Sequence, residues 1–126
     1  MREYKFRGNR TDNGELVYGF GAFIWEDDDI QKAEIYSTHG IFEVDPETVG
    51  QYTGLPDRIG KEIFDRDLVK IKGHPFHGLN MKVDGIYEVG YNDRMELCCG
   101  SWLLHRMLPY ITVVGNKFDN PDMLEG

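Results

Sequence analysis

Hydrophobic and polar residues alternate with a period of two along most of the chain, a spacing that is typical of strands with one buried face. At the start, Tyr4 and Phe6 alternate with charged residues, and Asn13-Gly14 supplies a pair that favours the positive φ values of a type I′ hairpin turn. The pattern therefore predicts a first hairpin whose return strand runs from Glu15 to Trp25. The residues predicted to share one face of that strand are Leu16, Tyr18, Phe20, Ala22 and Ile24.

Two glycines lie within the return strand of this hairpin. Gly19 and Gly21 fall on its other face, where the missing side chains indicate a bend, a bulge or the close approach of another backbone. Beyond it, a strand pair is predicted over 33–37 and 41–44, with its turn at 38–40. The segment 45–48 predicts a turn or a single helical turn, because its proline presets φ and its aspartate can cap the following amides.

The loop from Gly54 to Gly60 is the candidate boundary between two halves, a β-rich region over 1–59 and a second region over 60–126. In the second half, short strands are separated by turns, and the predicted strands cover 68–71, 83–91, 95–99 and 111–115. Their order favours a small SH3-like barrel after an N-terminal β-meander. The sequence thus predicts a mainly β protein.

Two segments of the second half predict helical structure. Ser101 to Leu108 lacks alternation, which indicates one or two helical turns that stop before Pro109, since the residue before a proline is pushed out of the helical region. Asn120 followed by Pro121 is the start signal of a short C-terminal helix.

Charge is distributed unevenly over the 126 residues, whose formal net charge is −8. Residues 1–50 carry 5 basic and 11 acidic side chains, whereas residues 51–126 carry 9 and 11. An acidic chain gives little electrostatic support to phosphate contacts, so nucleic acid is the less favoured partner. The acidic first half instead predicts a positively charged protein partner.

Neither the N-terminal residues nor the most apolar window has the pattern of a targeting or membrane segment. The first ten residues lack the apolar stretch of a secretory signal, and the window 102–115 is too short and too interrupted for a membrane span. The two cysteines, Cys98 and Cys99, are neighbours that cannot close a stabilising loop. These features predict a location in a reducing cytoplasm, without membrane association.

Three segments resemble the YopX-like family of phage and prophage proteins: Met1 to Arg7, Gln51 to Val69 and Val114 to Leu124. They lie in the family's order across nearly the whole chain. The resemblance implies a β-rich protein with an SH3-like barrel, encoded by a phage or an integrated element in a bacterial host and assembled as a homo-oligomer. It supplies no catalytic residue and no cofactor.

The chain departs from the family pattern at Arg66, where a glycine is usual. A side chain there argues against a tight turn with positive φ, which costs a residue other than glycine roughly 1 kcal/mol or more. The shared motifs also have a physical reading without a ligand, in which Gly54 and Gly60 set loop geometry and Asp67 caps a turn. The hydrophobic motif residues expected in the core are Leu68, Val69, Val113 and Val114.

Motifs that would bind a metal are incomplete. His74 and His77 have a spacing that suits zinc, but adjacent Cys98 and Cys99 seldom reach one metal together, so a polar loop is the favoured interpretation. The runs 27–29 and 65–67 do not match a calcium loop, which favours a solvated hairpin tip and a turn cap.

Motifs for catalysis fail in the same way. Gly19-Phe20-Gly21 begins like a dinucleotide fingerprint, but the third glycine position holds Ile24. The candidate nucleophiles and bases, none of which lies in a nucleophile motif, are Ser37, Ser101, Cys98, Cys99, His39 and His105. The chain is therefore predicted to be no enzyme and to need no cofactor.

The favoured hypothesis is a phage accessory protein that binds another protein. Its candidate interaction residues are aromatic and acidic: Trp25, Asp27, Asp28, Asp29 and Tyr52. One alternative is a barrel that binds nucleic acid through Lys61, Lys70, Lys72 and Lys82. Another is an acidic mimic of DNA that occupies a host DNA-binding enzyme, a role for which −8 is a modest charge.

Overall fold

The computed structural model describes residues 5–78 and 80–125, and in these residues β-strands dominate, so the prediction of a mainly β protein is confirmed. The chain divides into two compact units between Tyr52 and Thr53, before the glycine-bounded loop at which the sequence placed its boundary. The assignment of 1–59 and 60–126 as domains stays a prediction. Tyr4, part of the predicted first strand, lies outside the described residues.

The first unit is built from short antiparallel strands. The strands are β1 (Phe6–Asn9), β2 (Leu16–Gly19), β3 (Gly21–Asp27), β4 (Ile30–Ser37), β5 (Gly40–Val44) and β6 (Gly50–Pro56), the last of which continues into the second unit. β1 lies between β2 and the start of β6, and β3, β4 and β5 form a separate sheet in that order. The hydrophobic core of the first unit contains the buried side chains of Ala33, Ile35 and Val44. The 3₁₀ helix Pro46–Thr48 confirms the predicted helical turn, and Asp45 caps it by accepting from the Glu47 N–H.

The turns of the first unit differ from the prediction. Only Gly14 of the Asn13-Gly14 pair has a positive φ, so the type I′ assignment there is wrong; Asn13 instead accepts the Glu15 N–H through its side chain. Asp28 and Asp29 have φ values of 51° and 66° and connect β3 to β4. Positive φ at both central residues is the mark of a type I′ turn. The predicted hairpin tip at 27–29 is thus confirmed, and the type I′ turn lies there and not at Asn13-Gly14.

The predicted return strand is interrupted at Phe20, whose N–H donates to the Tyr36 carbonyl at 2.9 Å. Because β2 ends and β3 begins around this residue, the expected common face does not form: Tyr18, Phe20 and Ile24 are exposed, whereas Ala22 packs on the core. The expected close approach of a backbone is confirmed at Gly19. A Cβ there would lie 2.2 Å from the Tyr36 carbonyl oxygen.

The second unit contains a five-stranded antiparallel sheet. The elements of the second unit are β7 (Glu62–Phe64), β8 (Asp67–Ile71), β9 (Gly85–Tyr91), β10 (Leu97–Cys99), β11 (Trp102–Leu103), α1 (Leu104–Met107), the 3₁₀ helix Leu108–Tyr110, β12 (Ile111–Asn116) and the 3₁₀ helix Pro121–Glu125. The sheet order is β11-β10-β9-β8-β12, which leaves β11 and β12 at its edges, so closure into a barrel stays a prediction. Its core includes Ile63, Val69 and Leu104.

The helical predictions for the second unit are largely confirmed. The terminal helix forms as a 3₁₀ helix. α1 ends at Met107, so the expected stop of this helix before Pro109 is confirmed, although Trp102–Leu103 forms β11 instead of helix and Pro109 lies at the start of the 3₁₀ helix that follows. Proline is tolerated at a helix start, where its missing N–H has no intrahelical partner to lose.

Candidate functional site

One face of the β3-β4-β5 sheet is directed away from the small core of the first unit, and we call it the outer face. Strand register defines it, because residues directly opposite each other share a face. Phe23 lies opposite Glu34, and Glu34 lies opposite Glu43. The next rows place Tyr36 opposite Ile41, and Trp25 opposite Lys32. The intervening residues Ala33, Ile35 and Val44 are directed to the core.

Large apolar side chains are exposed on the outer face. Phe23 is 55% exposed and Ile41 is 60% exposed. The rings of Phe23 and Trp25 are stacked, with centroids 5.5 Å apart and planes 22° apart. Aromatic residues grouped on a surface are typical of protein interfaces, where they supply rigid contact area.

Two carboxylates of the outer face, those of Glu34 and Glu43, form no salt bridge within the part of the chain that the structure describes. Glu34 and Glu43 are neighbours across β4 and β5, an arrangement of like charges that weakens a strand pair. Lys32 pairs with Asp27 at 3.5 Å instead. The Tyr36 hydroxyl donates to Glu34 Oε1 at 3.1 Å, and this hydrogen bond, with burial and the negative charge of Glu34, raises the pKa of Tyr36. Glu43 Oε1 accepts from the Thr11 hydroxyl at 3.4 Å. The face therefore combines exposed aromatic area with two neighbouring carboxylates that are hydrogen-bonded to hydroxyl groups.

The structure brings together only some of the predicted interaction residues. Trp25 and Asp27 lie on the outer face, and Asp28 and Asp29 form the turn at its end. Tyr52 belongs to β6, where its N–H donates to the Lys5 carbonyl and its ring centroid lies 5.9 Å from Lys5 Nζ. Tyr52 is therefore no part of the outer face.

Residues missing from the sequence-predicted set are Phe23, Glu34, Ile41 and Glu43. The available signal was the alternation in β4, where the buried residues Ala33 and Ile35 leave Glu34 and Tyr36 on the other face. With a tight loop between Ser37 and Gly40, the register then places Glu34 opposite Glu43.

The histidines considered for zinc organise a loop. His77 Nδ1 accepts the N–H groups of Val83 and Asp84, each at 3.1 Å, and His74 Nδ1 accepts the Phe76 N–H. Asp84 accepts the N–H groups of Gly73 and His74, and these hydrogen bonds lower the pKa of its carboxyl group. Within residues 5–78 and 80–125, no three His, Cys, Asp or Glu side chains are grouped as metal ligands would be.

The two cysteines are buried in the second unit rather than displayed as nucleophiles. Burial, with a smaller contribution from Cys98, raises the pKa of Cys99 to about 11. A thiol kept protonated in this way is a weak nucleophile.

The raised pKa of Cys99 predicts how stability depends on pH. The unfolded chain releases the thiol proton near pH ~8.5 whereas the folded chain retains it, so stability is complete below that pH and falls as the pH rises to about 11. We expect the fall in the free energy of unfolding, measured by urea titration, to be smaller in Cys99→Ala than in the wild type. An equal fall in the free energy of unfolding with pH in the two proteins would contradict this account.

The middle family motif is an anchored loop in the second unit. Asp57 is buried, and its Oδ1 accepts the N–H groups of Ile59 and Lys61 while its Oδ2 accepts the Val113 N–H at 2.9 Å. Gly60 has a φ of 90°. The Phe64 N–H donates to Asp67 Oδ2, which confirms the predicted capping role of Asp67.

The last family motif is also structural. Asn116 Oδ1 accepts the N–H groups of Phe118 and Asp119, and Asn120 Oδ1 accepts the Asn116 N–H. A Cβ on Gly115 would lie 2.3 Å from Asn120 Oδ1, so only glycine leaves room for this amide. These motif residues hold the C-terminal loop of the second unit in place.

Arg66 joins the middle and last motifs. Its φ of 71° shows that the positive-φ turn forms despite the side chain, so the expectation drawn from the missing glycine is wrong. Hydrogen bonds hold the residue on both sides, from its N–H to the Val89 carbonyl and from the Lys117 N–H to its own carbonyl. Its guanidinium carbon lies 5.6 Å from the centroid of the Phe118 ring, a contact that offsets the backbone strain.

Two substitutions of Arg66 separate strain from contact. Arg66→Gly removes both and is expected to change the free energy of unfolding by no more than about 0.5 kcal/mol, whereas Arg66→Ala keeps the strain and should cost about 1 kcal/mol. Chemical denaturation of both variants measures the difference. Equal stability of the two variants would show that the backbone conformation carries no strain.

The structure thus defines a mainly β protein of two units, with an exposed aromatic and acidic sheet face in the first and anchored motif loops in the second. The model of the family described as YopX protein matches residues 5–125, and the chain belongs to this family. A solved structure with the same fold is the "Crystal structure of protein EF1440 from Enterococcus faecalis", with 19% identity over 96% of this chain and 97% of that chain and a TM-score of 0.55. No curated protein matches the chain.

Helices in the described part of the chain are all too short or too polar to cross a membrane.

Proposed function

We propose that this member of the YopX family is a non-enzymatic protein-binding module of a phage or prophage, acting in the cytoplasm of a bacterial host. Its docking surface is the outer face, and its partner is a protein surface that presents basic and apolar side chains. The observation that carries the proposal is the juxtaposition of the stacked, exposed Phe23 ring with the neighbouring carboxylates of Glu34 and Glu43.

Charge selects the chemistry of this partner. A basic side chain placed over β4 and β5 would relieve the repulsion between Glu34 and Glu43, and an arginine could also stack on the Phe23 ring. Apolar side chains of the partner would cover Ile41 and Trp25. Such an interface has an aromatic centre and complementary charge, which supports both affinity and rapid association.

A pair of defined probes tests this chemistry. A short peptide that alternates Arg and Leu should bind the intact protein, and binding should weaken as salt rises because exposed charges are screened. A peptide that alternates Glu and Leu should not bind. Equal affinity of both peptides, measured by isothermal titration calorimetry, would exclude the proposed complementarity.

Matched substitutions locate the surface. Glu43→Lys should weaken binding of the Arg-Leu peptide about tenfold or more, whereas Asp93→Lys makes the same charge change on an exposed turn of the second unit and should have little effect. Ile41→Ser should weaken binding, and Ile59→Ser, at a side chain that is 71% exposed, should not. Equal losses within either pair would place the binding surface elsewhere.

Nucleic acid binding remains the second candidate function, because Lys61, Lys70, Lys72 and Lys82 are all exposed in the second unit. Capture from a bacterial lysate with and without nuclease separates the two candidates. A protein that stays bound after nuclease and is lost with Glu43→Lys supports protein binding. Retention that disappears with nuclease and with Lys70→Glu supports the nucleic-acid alternative.

A further inference from the structure

The β3 strand has an open edge. Within the part of the chain that the structure describes, β3 is hydrogen-bonded to β4 and ends the β3-β4-β5 sheet. It is seven residues long and contains neither proline nor a basic residue. Proteins usually protect a sheet edge with lysine, proline, a bulge or a very short strand, because unpaired N–H and C=O groups bind other strands. The middle of β3 has none of these protections.

The outer half of the β3-β4 hairpin is also uncovered on both faces. None of the residues from Ile24 to Lys32 is buried. Ile24 is 45% exposed on the core side of the sheet, and Ile30 is 62% exposed on the outer face. A two-stranded ribbon of this kind is marginally stable in water, and a further strand along its edge would bury apolar area on both faces.

We propose that the occupant of this edge is a second copy of the chain, whose β3 pairs antiparallel to the first about a two-fold axis at Ile24. This register places Ile24 opposite the partner's Ile24, and Phe23 opposite the partner's Trp25. The two three-stranded sheets then form one continuous six-stranded sheet, with main-chain hydrogen bonds across the join. A two-fold contact requires such a self-complementary surface.

Charge favours the antiparallel arrangement of two copies. The acidic residues of β3 are Glu26 and Asp27, both at its end. Antiparallel pairing about Ile24 places Asp27 opposite the partner's Gly21 and Glu26 opposite the partner's Ala22, so no carboxylate faces another. Parallel pairing would align these carboxylates with their own copies, which is destabilising. The apolar centre therefore pairs with itself while the acidic ends remain apart.

Sedimentation equilibrium of the intact protein tests the pairing. The wild type is expected to have twice the monomer mass, with a concentration-dependent dimer, and Ile24→Lys is expected to be monomeric because a lysine would face its own copy across the join. Ile41→Lys, on β5 at the opposite side of the sheet from the β3 edge, should remain dimeric. A wild type that is monomeric at every concentration, or a dimer that persists unchanged in Ile24→Lys, would overturn the proposal.

A cross-linking variant keeps the test valid if Ile24→Lys fails to fold. Ile24→Cys should form a covalent dimer with a short bifunctional thiol reagent, because directly opposed Cβ atoms in an antiparallel pair lie only about 4.5–5.5 Å apart. Ile41→Cys is the control for random collision, and both variants retain the buried native cysteines. Equal cross-linking of the two variants would overturn the two-fold register. Ile41→Ser tests binding of a partner to the outer face, whereas the Ile24 variants test pairing of two copies at the β3 edge. Either proposal can therefore fail without affecting the test of the other.

Discussion

Asp57→Asn is expected to lower the free energy of unfolding by about 3 kcal/mol, since it leaves a buried backbone N–H without an acceptor. The carboxylate accepts three backbone N–H groups, from Ile59, Lys61 and Val113. Asparagine has the same shape but only one acceptor oxygen, so its NH₂ group would face at least one of these donors. Chemical denaturation of the wild type and the variant measures the loss.

The control is Asp84→Asn, at a second carboxylate that accepts two backbone N–H groups. Asp84 lies in an accessible loop where water can replace the lost acceptor, so its substitution should cost much less than that of Asp57. Comparable losses in the two variants would show that the burial of Asp57 adds nothing to the cost of losing its hydrogen bonds. The anchoring of the middle family motif would then need another explanation.

Gly19→Ala is expected to destabilise the first unit by about 3 kcal/mol, because overpacking against a fixed backbone forces the strands apart. The added Cβ would lie 2.2 Å from the Tyr36 carbonyl oxygen and 2.6 Å from Ile35 Cγ2. The first of these atoms belongs to the backbone of β4, so no rotation of a side chain can relieve the contact. Hydrogen exchange of the β4 amides reports the loss for this unit.

Gly21→Ala is a matched control in the same strand connection. There the added Cβ would approach no atom closer than 3.9 Å, from the Tyr36 side chain. Both substitutions stiffen the unfolded chain equally, which favours folding, so the difference between them isolates the steric contact. We expect the free energy of unfolding of Gly21→Ala to equal that of the wild type or to exceed it by about 0.5 kcal/mol. A similar loss in both variants would contradict the close approach at Gly19.

The alternation of hydrophobic and polar residues predicted most of the strands, because this pattern depends only on residues that are neighbours in the sequence. The predicted strands over 33–37 and 41–44 appear within β4 and β5, and the predicted cap Asp45 accepts the expected amide. The conformation of Arg66 could not be predicted in this way. It depends on hydrogen bonds to Val89 and Lys117, residues far along the chain, which hold a φ that arginine alone avoids.

The outer face was predicted in part for a similar reason. An acidic run next to Trp25 is visible in the sequence and lies at one end of the outer face. The Glu34 and Glu43 pair depends on the register of β4 and β5, and Tyr52 lies on another strand although its residue type suited an interface. Residue type identified candidates, whereas strand register decided which of them share a surface.

The most direct test of the outer face as a docking surface is backbone NMR of the isotopically labelled intact protein, titrated with the Arg-Leu peptide. We predict that the amide shifts that move furthest belong to β3, β4 and β5, including Phe23, Glu34 and Glu43. We also predict that the Glu-Leu peptide moves none of them. Shifts confined to the second unit, around Lys61, Lys70 and Lys72, would contradict the account.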